Sequence, residues 1–471
     1  MPSPAGSARP SQDFANIRAE FGLPDGFESG ALAEAENAVS HARDRAADRM
    51  DATDIPLVTI DPPGAKDLDQ AMHLERRAGS GFRLRYAIAD LGTFVVPSGA
   101  VDAQARARGQ TLYLPDGNVP LHPTVLSEGA ASLLPGEVRP AALWTIDTDA
   151  DGMPVAVDVR RALVRSVGRF DYEGVQAAID ADTVHPSLAA LPEFGRLRRR
   201  LAVERGAIEL QLPEQEITCN GAGWSLGLRL RTEVDSWNAE ISLLTGMSAA
   251  RVMLDAGVGV LRTLPEADTE VSSWLRRSAG ALGIDWPEGG DIAELLAALD
   301  PARPESLALY TDSTRLLRGA GYTAFDGSPP EDVAHAGIGG PYAHVTAPIR
   351  RLVDRFATEV CLAVSADAEV PEWARAALPD LPSLMGTSDT LAAKVERACL
   401  AQVESWVLAE LVGSEFEAVV LRAEDGKAEV LLSDPPVLAK CAGADLPEGK
   451  RITIKLVEVD AVARTVSFER A

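Results

Sequence analysis

Thr59-Ile-Asp-Pro-Pro-Gly-Ala-Lys-Asp-Leu-Asp-Gln70 joins the end of an apolar run to a tight turn and then to closely spaced acids. Residues Ile55 to Ile60 read as a buried strand that Asp61 closes, after which Pro62, Pro63 and Gly64 force the chain to reverse. The reversal can return Asp67 and Asp69 toward Asp61. In extended chain, residues two apart share a face, which places Asp67 and Asp69 together and sends Leu68 into the core. Three carboxylates gathered in this way repel one another unless a cation lies between them. Oxygen-only ligands suit Mg²⁺ or Mn²⁺, whose catalytic uses include in-line displacement at phosphorus. A solvated acidic turn is the competing reading.

Further along, Thr346-Ala-Pro-Ile-Arg-Arg-Leu-Val-Asp354 predicts a helix start, with Thr346 as N-cap and Pro348 tolerated in the first turn. Two arginines there oppose the positive end of the helix dipole. An anion such as a phosphate, held by guanidinium forks and backbone N–H groups, resolves the conflict. The alternative is a surface pair bridged to Asp354.

These two stretches belong to an ordered set: TIDPPGAKDLDQA from Thr59, YAIAD from Tyr86, YLPDGNVPLHP from Tyr113, SLLPGEVRPA from Ser132 and HAGIGGPYAHVTAPIRRLVD from His335. In content and order the set resembles the ribonuclease II/R (RNB) family. The resemblance implies a Mg²⁺-dependent hydrolytic exoribonuclease, with Mn²⁺ also admissible, that degrades single-stranded RNA 3′-to-5′ and releases nucleoside 5′-monophosphates. It places Asp61, Asp67 and Asp69 on the metal or the scissile phosphate, with Asp69 the most sensitive for cleavage. Arg350 would contact the scissile phosphate, with Arg351 nearby on the RNA backbone. Tyr113 and Tyr172 match positions that stack on terminal bases, although alone each would read as a half-buried tyrosine. The family's fourth Asp is Gln70 here, a candidate neutral ligand whose amide oxygen brings no charge. Leu352 replaces an aromatic residue after the arginine pair, and a downstream His-Arg is missing. Those departures keep open a catalytically weakened RNA-binding protein of the same fold.

Composition bounds these expectations. The 471 residues, 46% of them hydrophobic, suffice for two or three domains and a sizeable core. A net charge of −25 argues against nucleic acid in general and fits an acidic scaffold of an RNA-decay assembly, which would leave the Asp cluster unexplained. Basic clusters at Arg160 to Arg169, Arg196 to Arg205 and Arg350-Arg351 could line a channel, or serve partly as charged helix faces. Four widely spaced cysteines suggest small buried hydrophobes in a reducing cytoplasm. The absence of a long apolar run or signal core predicts a cytoplasmic protein that does not meet membranes.

The predicted architecture is an α+β (mixed α/β) RNB-type catalytic domain over 55–401, behind a short helical N-terminal region over 1–54. Residues 402–471 are expected to hold a linker helix and an OB-type barrel poor in aromatic residues. A helical N-terminal region cannot form the cold-shock barrels that precede the catalytic domain in well-known family members. His344 reads as structural, since no zinc-type histidine spacing exists, and Asp90 could join the acids or cap a turn. Gly337, Gly339 and Gly340 lack the Gly-Lys-Ser/Thr of a nucleotide loop.

Overall fold

The computed structural model describes residues 12–42, 48–220, 223–229 and 231–471. Five strands close the central barrel: β1 (Met50–Ile60), β2 (Gln70–Arg76), β3 (Phe82–Ala89), β6 (Val138–Thr148) and β7 (Pro154–Phe170). One hairpin interrupts the count, β4 (Leu112–Leu114) with β5 (Gly117–Val119), and another follows the barrel, β8 (Glu214–Asn220) with β9 (Gly223–Arg229). Neighbours along the barrel are antiparallel except β1 and β7, whose parallel pairing closes it.

Strand alternation divides the barrel side chains into two cores. Leu84, Tyr86 and Trp144 share one cluster with Trp237 and Ile241 of helix Glu233–Ala256 and Phe356 of helix Leu352–Ser365. The opposite set includes small residues, Ala71, Ala87 and Ala141, and packs with Leu68, Ile349 and Ala31 and Ala35 of helix Ser29–Ser40.

The N-terminal expectation needs correction at its edge. Residues 50–54 are strand and not helix; they belong to β1, with Met50 opposite Ala162 and Ala52 opposite Val164. The helices before it are Ala15–Glu20 and Ser29–Ser40, while residues 1–11 and 43–47 lie outside the described residues. The strand-like runs of the catalytic region, from Phe82, Ala141 and Val155, all lie within barrel strands.

The C-terminal segment closes a second five-stranded barrel from Glu415–Glu424, Lys427–Leu432, Leu438–Ala442, Arg451–Asp460 and Thr465–Arg470. Phe416 and Phe468, the aromatic residues of this segment, meet edge to face at 5.9 Å, and Phe468 is buried. The barrel docks through Arg422, whose Nε donates to Asp312 at 3.1 Å, and through Pro436, whose carbonyl accepts from Gln215 at 2.7 Å.

Candidate active site

Asp61 lies just past β1, its N–H bonded to the Phe170 carbonyl at the end of β7 at 3.0 Å. The turn follows, with the Ala65 N–H on the Pro62 carbonyl and Gly64 at φ +85°, a region L-residues avoid. Ser132 then anchors the returning chain, donating to the Lys66 carbonyl at 2.6 Å and accepting the Leu68 N–H at 3.0 Å. Leu68 is fully buried, as expected, and such burial stabilises by about 1.5–3 kcal/mol. The acids therefore sit on an anchored segment.

Asp69 is only 4% exposed. Its Oδ1 accepts the Ile349 N–H at 2.7 Å, and its Oδ2 faces the Arg350 Nε at 3.5 Å. Burial raises its pKa well above the usual carboxylate range, opposed by the Arg350 charge. Burial likewise pushes Asp61 up to about 6, against the Arg169 and Arg350 charges. Asp61 Oδ2 and Asp69 Oδ2 are both buried without a hydrogen-bond partner. Asp67 is half-buried and accepts the Tyr113 hydroxyl at 2.7 Å.

Among the described residues, no three His, Cys, Asp or Glu side chains converge closely enough to enclose an ion by themselves. The donor set still suits Mg²⁺, which needs only one or two carboxylates beside water and phosphate oxygens. Two orphaned carboxylate oxygens with raised pKa values are the groups a cation would satisfy.

Arg350 is 49% exposed and borders two cavities. One, of about 320 Å³, also contains Tyr113; the other, of about 840 Å³, contains Tyr172, Gln70 and Ser242. Tyr113 is 52% exposed, leaving its ring available for stacking. Tyr172 begins helix Tyr172–Asp180, which Asp171 caps by accepting the Gly174 N–H at 2.7 Å. Its hydroxyl accepts from Asn238 at 3.5 Å, and the Arg229 guanidinium lies 5.6 Å from its ring centre.

Several expectations change. No helix begins at Thr346: the helix is Leu352–Ser365, and Arg351 before it is extended and bridges to Gln110. The Ala347 N–H is taken by Asp354 at 2.7 Å and the Ile349 N–H by Asp69, so these amides do not form a phosphate cradle. Arg351 forks onto the buried Asp354 through Nε and Nη2 and lines the smaller cavity beside Arg350. Gln70 as a neutral ligand does not fit either. Its Nε2 donates to the Thr346 carbonyl and its Oε1 already accepts from the Tyr86 hydroxyl, with Ser242 Oγ 3.3 Å away.

The basic clusters are largely committed to internal pairs. Arg161 bonds Asp90 and Glu359, Arg199 bonds Glu209, and Arg205 bonds Glu240 and the Ile338 carbonyl. Asp90 accordingly does not join the acids; it accepts from Arg49 and Arg161 and caps a turn through the Gly92 N–H. His344 is structural as expected, bonded to the Tyr322 hydroxyl at 2.8 Å. No disulfide joins the cysteines, and Cys361, Cys399 and Cys441 are buried. Tyr86, Ser242, Asn238 and the β8–β9 hairpin escaped sequence reasoning. Tyr86 carried a signal, since a tyrosine inside an apolar strand needs a partner for its hydroxyl.

Comparison with known proteins agrees with this architecture. The RNB domain family matches residues 49–363, and the RNase II-type exonuclease C-terminal S1 domain matches residues 414–471. The chain belongs to the RNB family. Ribonuclease R of Escherichia coli is 32% identical over 325 residues, covering 65% of this chain and 39% of that protein. The chain thus spans well under half the length of that relative. RNase R of Mycoplasma genitalium, solved in complex with ribose methylated single-stranded RNA, superposes with a TM-score of 0.85 at 20% identity, covering 97% of this chain and 77% of that one. Yeast Ssd1, described as a pseudonuclease, shares the fold at a TM-score of 0.70 and 15% identity, over 88% of this chain and 54% of that one. Among the described residues no helix is long and apolar enough to cross a membrane.

Proposed function

We propose that this protein is a Mg²⁺-dependent hydrolytic 3′-to-5′ exoribonuclease that acts on single-stranded RNA and releases nucleoside 5′-monophosphates, with Mn²⁺ able to substitute. The observation that carries the reading is the meeting of Asp69 with the Ile349-Arg350 segment, beside two orphaned carboxylate oxygens and between two cavities that each hold a tyrosine. Asp61, Asp67 and Asp69 would hold the metal, which when bound supplies charge neutralisation and an activated water. Arg350, half exposed beside Asp69, would pair with the phosphate oxygens and offset the charge that grows on them. Tyr113 and Tyr172 give base-stacking surfaces that tolerate any sequence. Water would attack phosphorus as the bond to the 3′ oxygen breaks; the water gives up a proton, the 3′ oxygen takes one up, and the phosphate stays on the 5′ oxygen of the released nucleotide.

A binding protein without turnover is the second reading, motivated by Gln70 and by the pseudonuclease that shares the fold. The intact Asp69 and Arg350 pair weighs against it. An acidic scaffold leaves that pair without a task. Incubation with RNA bearing a free 3′ extension, with and without EDTA, separates them: chelatable cleavage is expected, and RNA binding without cleavage would favour the second reading.

A further inference from the structure

Gln70 directly follows Asp69, and its side chain is committed at both ends. The Nε2 donates to the Thr346 carbonyl at 2.8 Å. The Oε1 accepts from the Tyr86 hydroxyl and from Ser242 Oγ at 3.3 Å. Those two hydroxyls lie 2.9 Å apart, so Ser242 shares its one hydrogen between Tyr86 and Gln70, and β2, β3 and helix Glu233–Ala256 meet in one network. The backbone beneath is fixed, because Gln70 pairs with Ile88 across β2 and β3.

The partners select the residue type. Thr346 offers a carbonyl and needs a donor, whereas Tyr86 and Ser242 each have a hydroxyl hydrogen to give. An ionised carboxylate has acceptors only, and at position 70 it would face the Thr346 oxygen with like partial charge. An amide meets all three partners, and Asn would be one methylene short. Residues 69 and 70 therefore grip one segment at two points. Asp69 takes the Ile349 N–H, Gln70 holds the Thr346 carbonyl, and Arg350 follows immediately.

We propose that Gln70 is a positioning residue: acting through Thr346, it sets the approach of Arg350 to Asp69 and takes no cation itself. The proposal rests on the reading that Asp69 and Arg350 form the reacting pair. It explains how the site accommodates an amide at this position, since the amide performs a task that a carboxylate cannot. A misplacement of about 1 Å at a reacting group can lower a rate about 10²-fold, so a clamp of this kind acts on turnover more than on RNA affinity.

The test uses the full chain with Gln70→Leu, which removes both hydrogen-bonding functions at similar size, and Gln70→Glu, which keeps the length but replaces the donor by an acceptor and adds a negative charge. Amide hydrogen exchange over residues 344–352, calorimetric Mn²⁺ titration and steady-state turnover are read together. Faster exchange at 346–351 is expected in both variants. For Gln70→Leu, Mn²⁺ affinity should stay within about threefold while kcat falls about 10- to 100-fold with KM little changed. Unchanged exchange together with Mn²⁺ binding weakened about tenfold or more would make Gln70 a ligand and overturn the proposal. A Gln70→Glu enzyme faster than wild type would overturn it too. Should Gln70→Leu fail to fold, Gln70→Glu gives the same exchange comparison. Lack of turnover by the wild type would count against the ribonuclease reading alone, and the exchange and Mn²⁺ results would still decide the role of Gln70.

Discussion

Asp69 Oδ1 accepts the backbone N–H of Ile349 at 2.7 Å, a bond between residues 280 positions apart. It joins the loop of acids after β1 to the segment that carries Arg350. The two halves of the site are thus registered by backbone and not only by side-chain charge.

This pairing predicts that Asp69 and Arg350 act on chemistry more than on RNA affinity. Arg350→Ala should lower kcat by about 10²–10³-fold, the scale for losing one group aimed at developing charge. RNA affinity in EDTA should change only a few-fold. Equal losses in affinity and rate would assign Arg350 to ground-state binding.

Asp61 predicts a pH dependence with a defined sign. Its pKa is pushed up to about 6 by burial, so the ionised form is disfavoured in the folded, metal-free protein. Its contribution to stability is complete below the ordinary carboxylate pKa and is lost as pH rises through about 6. In EDTA, Asp61→Asn should therefore raise Tm relative to wild type most at pH 8, by less at pH 5, and hardly at all near pH 3, below the ordinary carboxylate pKa. A Tm difference independent of pH would show that Asp61 is not buried as described.

Tyr113 predicts an effect on product length. Its ring is exposed beside Asp67, and one lost stacking contact is worth about 1–3 kcal/mol per base. Tyr113→Ala should leave longer residual fragments while long RNA suffers less. A fragment ladder unchanged by both Tyr113→Ala and Tyr172→Ala would make the two tyrosines packing residues.

Much of this site was legible in the sequence because turn chemistry and strand burial are local. Pro62-Pro63-Gly64 makes the turn, Leu68 anchors it, and Asp67 lies within electrostatic reach of both Asp61 and Asp69. What sequence could not show depends on distant partners. The helix start at Thr346 failed because Asp354 and Asp69 capture the amides that a helix would have left free. Arg351 could be turned inward only once the buried Asp354 was in place. Gln70 acquires its meaning from Tyr86, Ser242 and Thr346, far away along the chain. The fold of the C-terminal barrel was readable from its turns, and its poverty in stacking residues from composition, since Phe468 faces the barrel core.

Charge placement gives a further prediction. Arg229 and Arg231 in the Tyr172 cavity are bonded to Glu214, and Arg229 also to Asp235, which leaves Arg350 as the arginine best placed for phosphate. Each phosphate neutralised on a single strand adds about −0.7 to the slope of log affinity against log salt, so the slope should be no steeper than about −2. A slope near −5 on that scale would reveal a basic RNA path elsewhere on the surface.

Hydrolysis of RNA from its 3′ end at the Asp69–Arg350 site is the activity on which the other predictions depend. It is tested most directly with 5′-end-labelled single-stranded RNA in Mg²⁺, using wild type and Asp69→Asn side by side. The account predicts progressive shortening from the 3′ end by wild type, release of nucleoside 5′-monophosphates, arrest by EDTA, and no shortening by Asp69→Asn although it still binds the RNA. Bound but intact RNA with the wild type, or shortening that Asp69→Asn performs equally well, would contradict it.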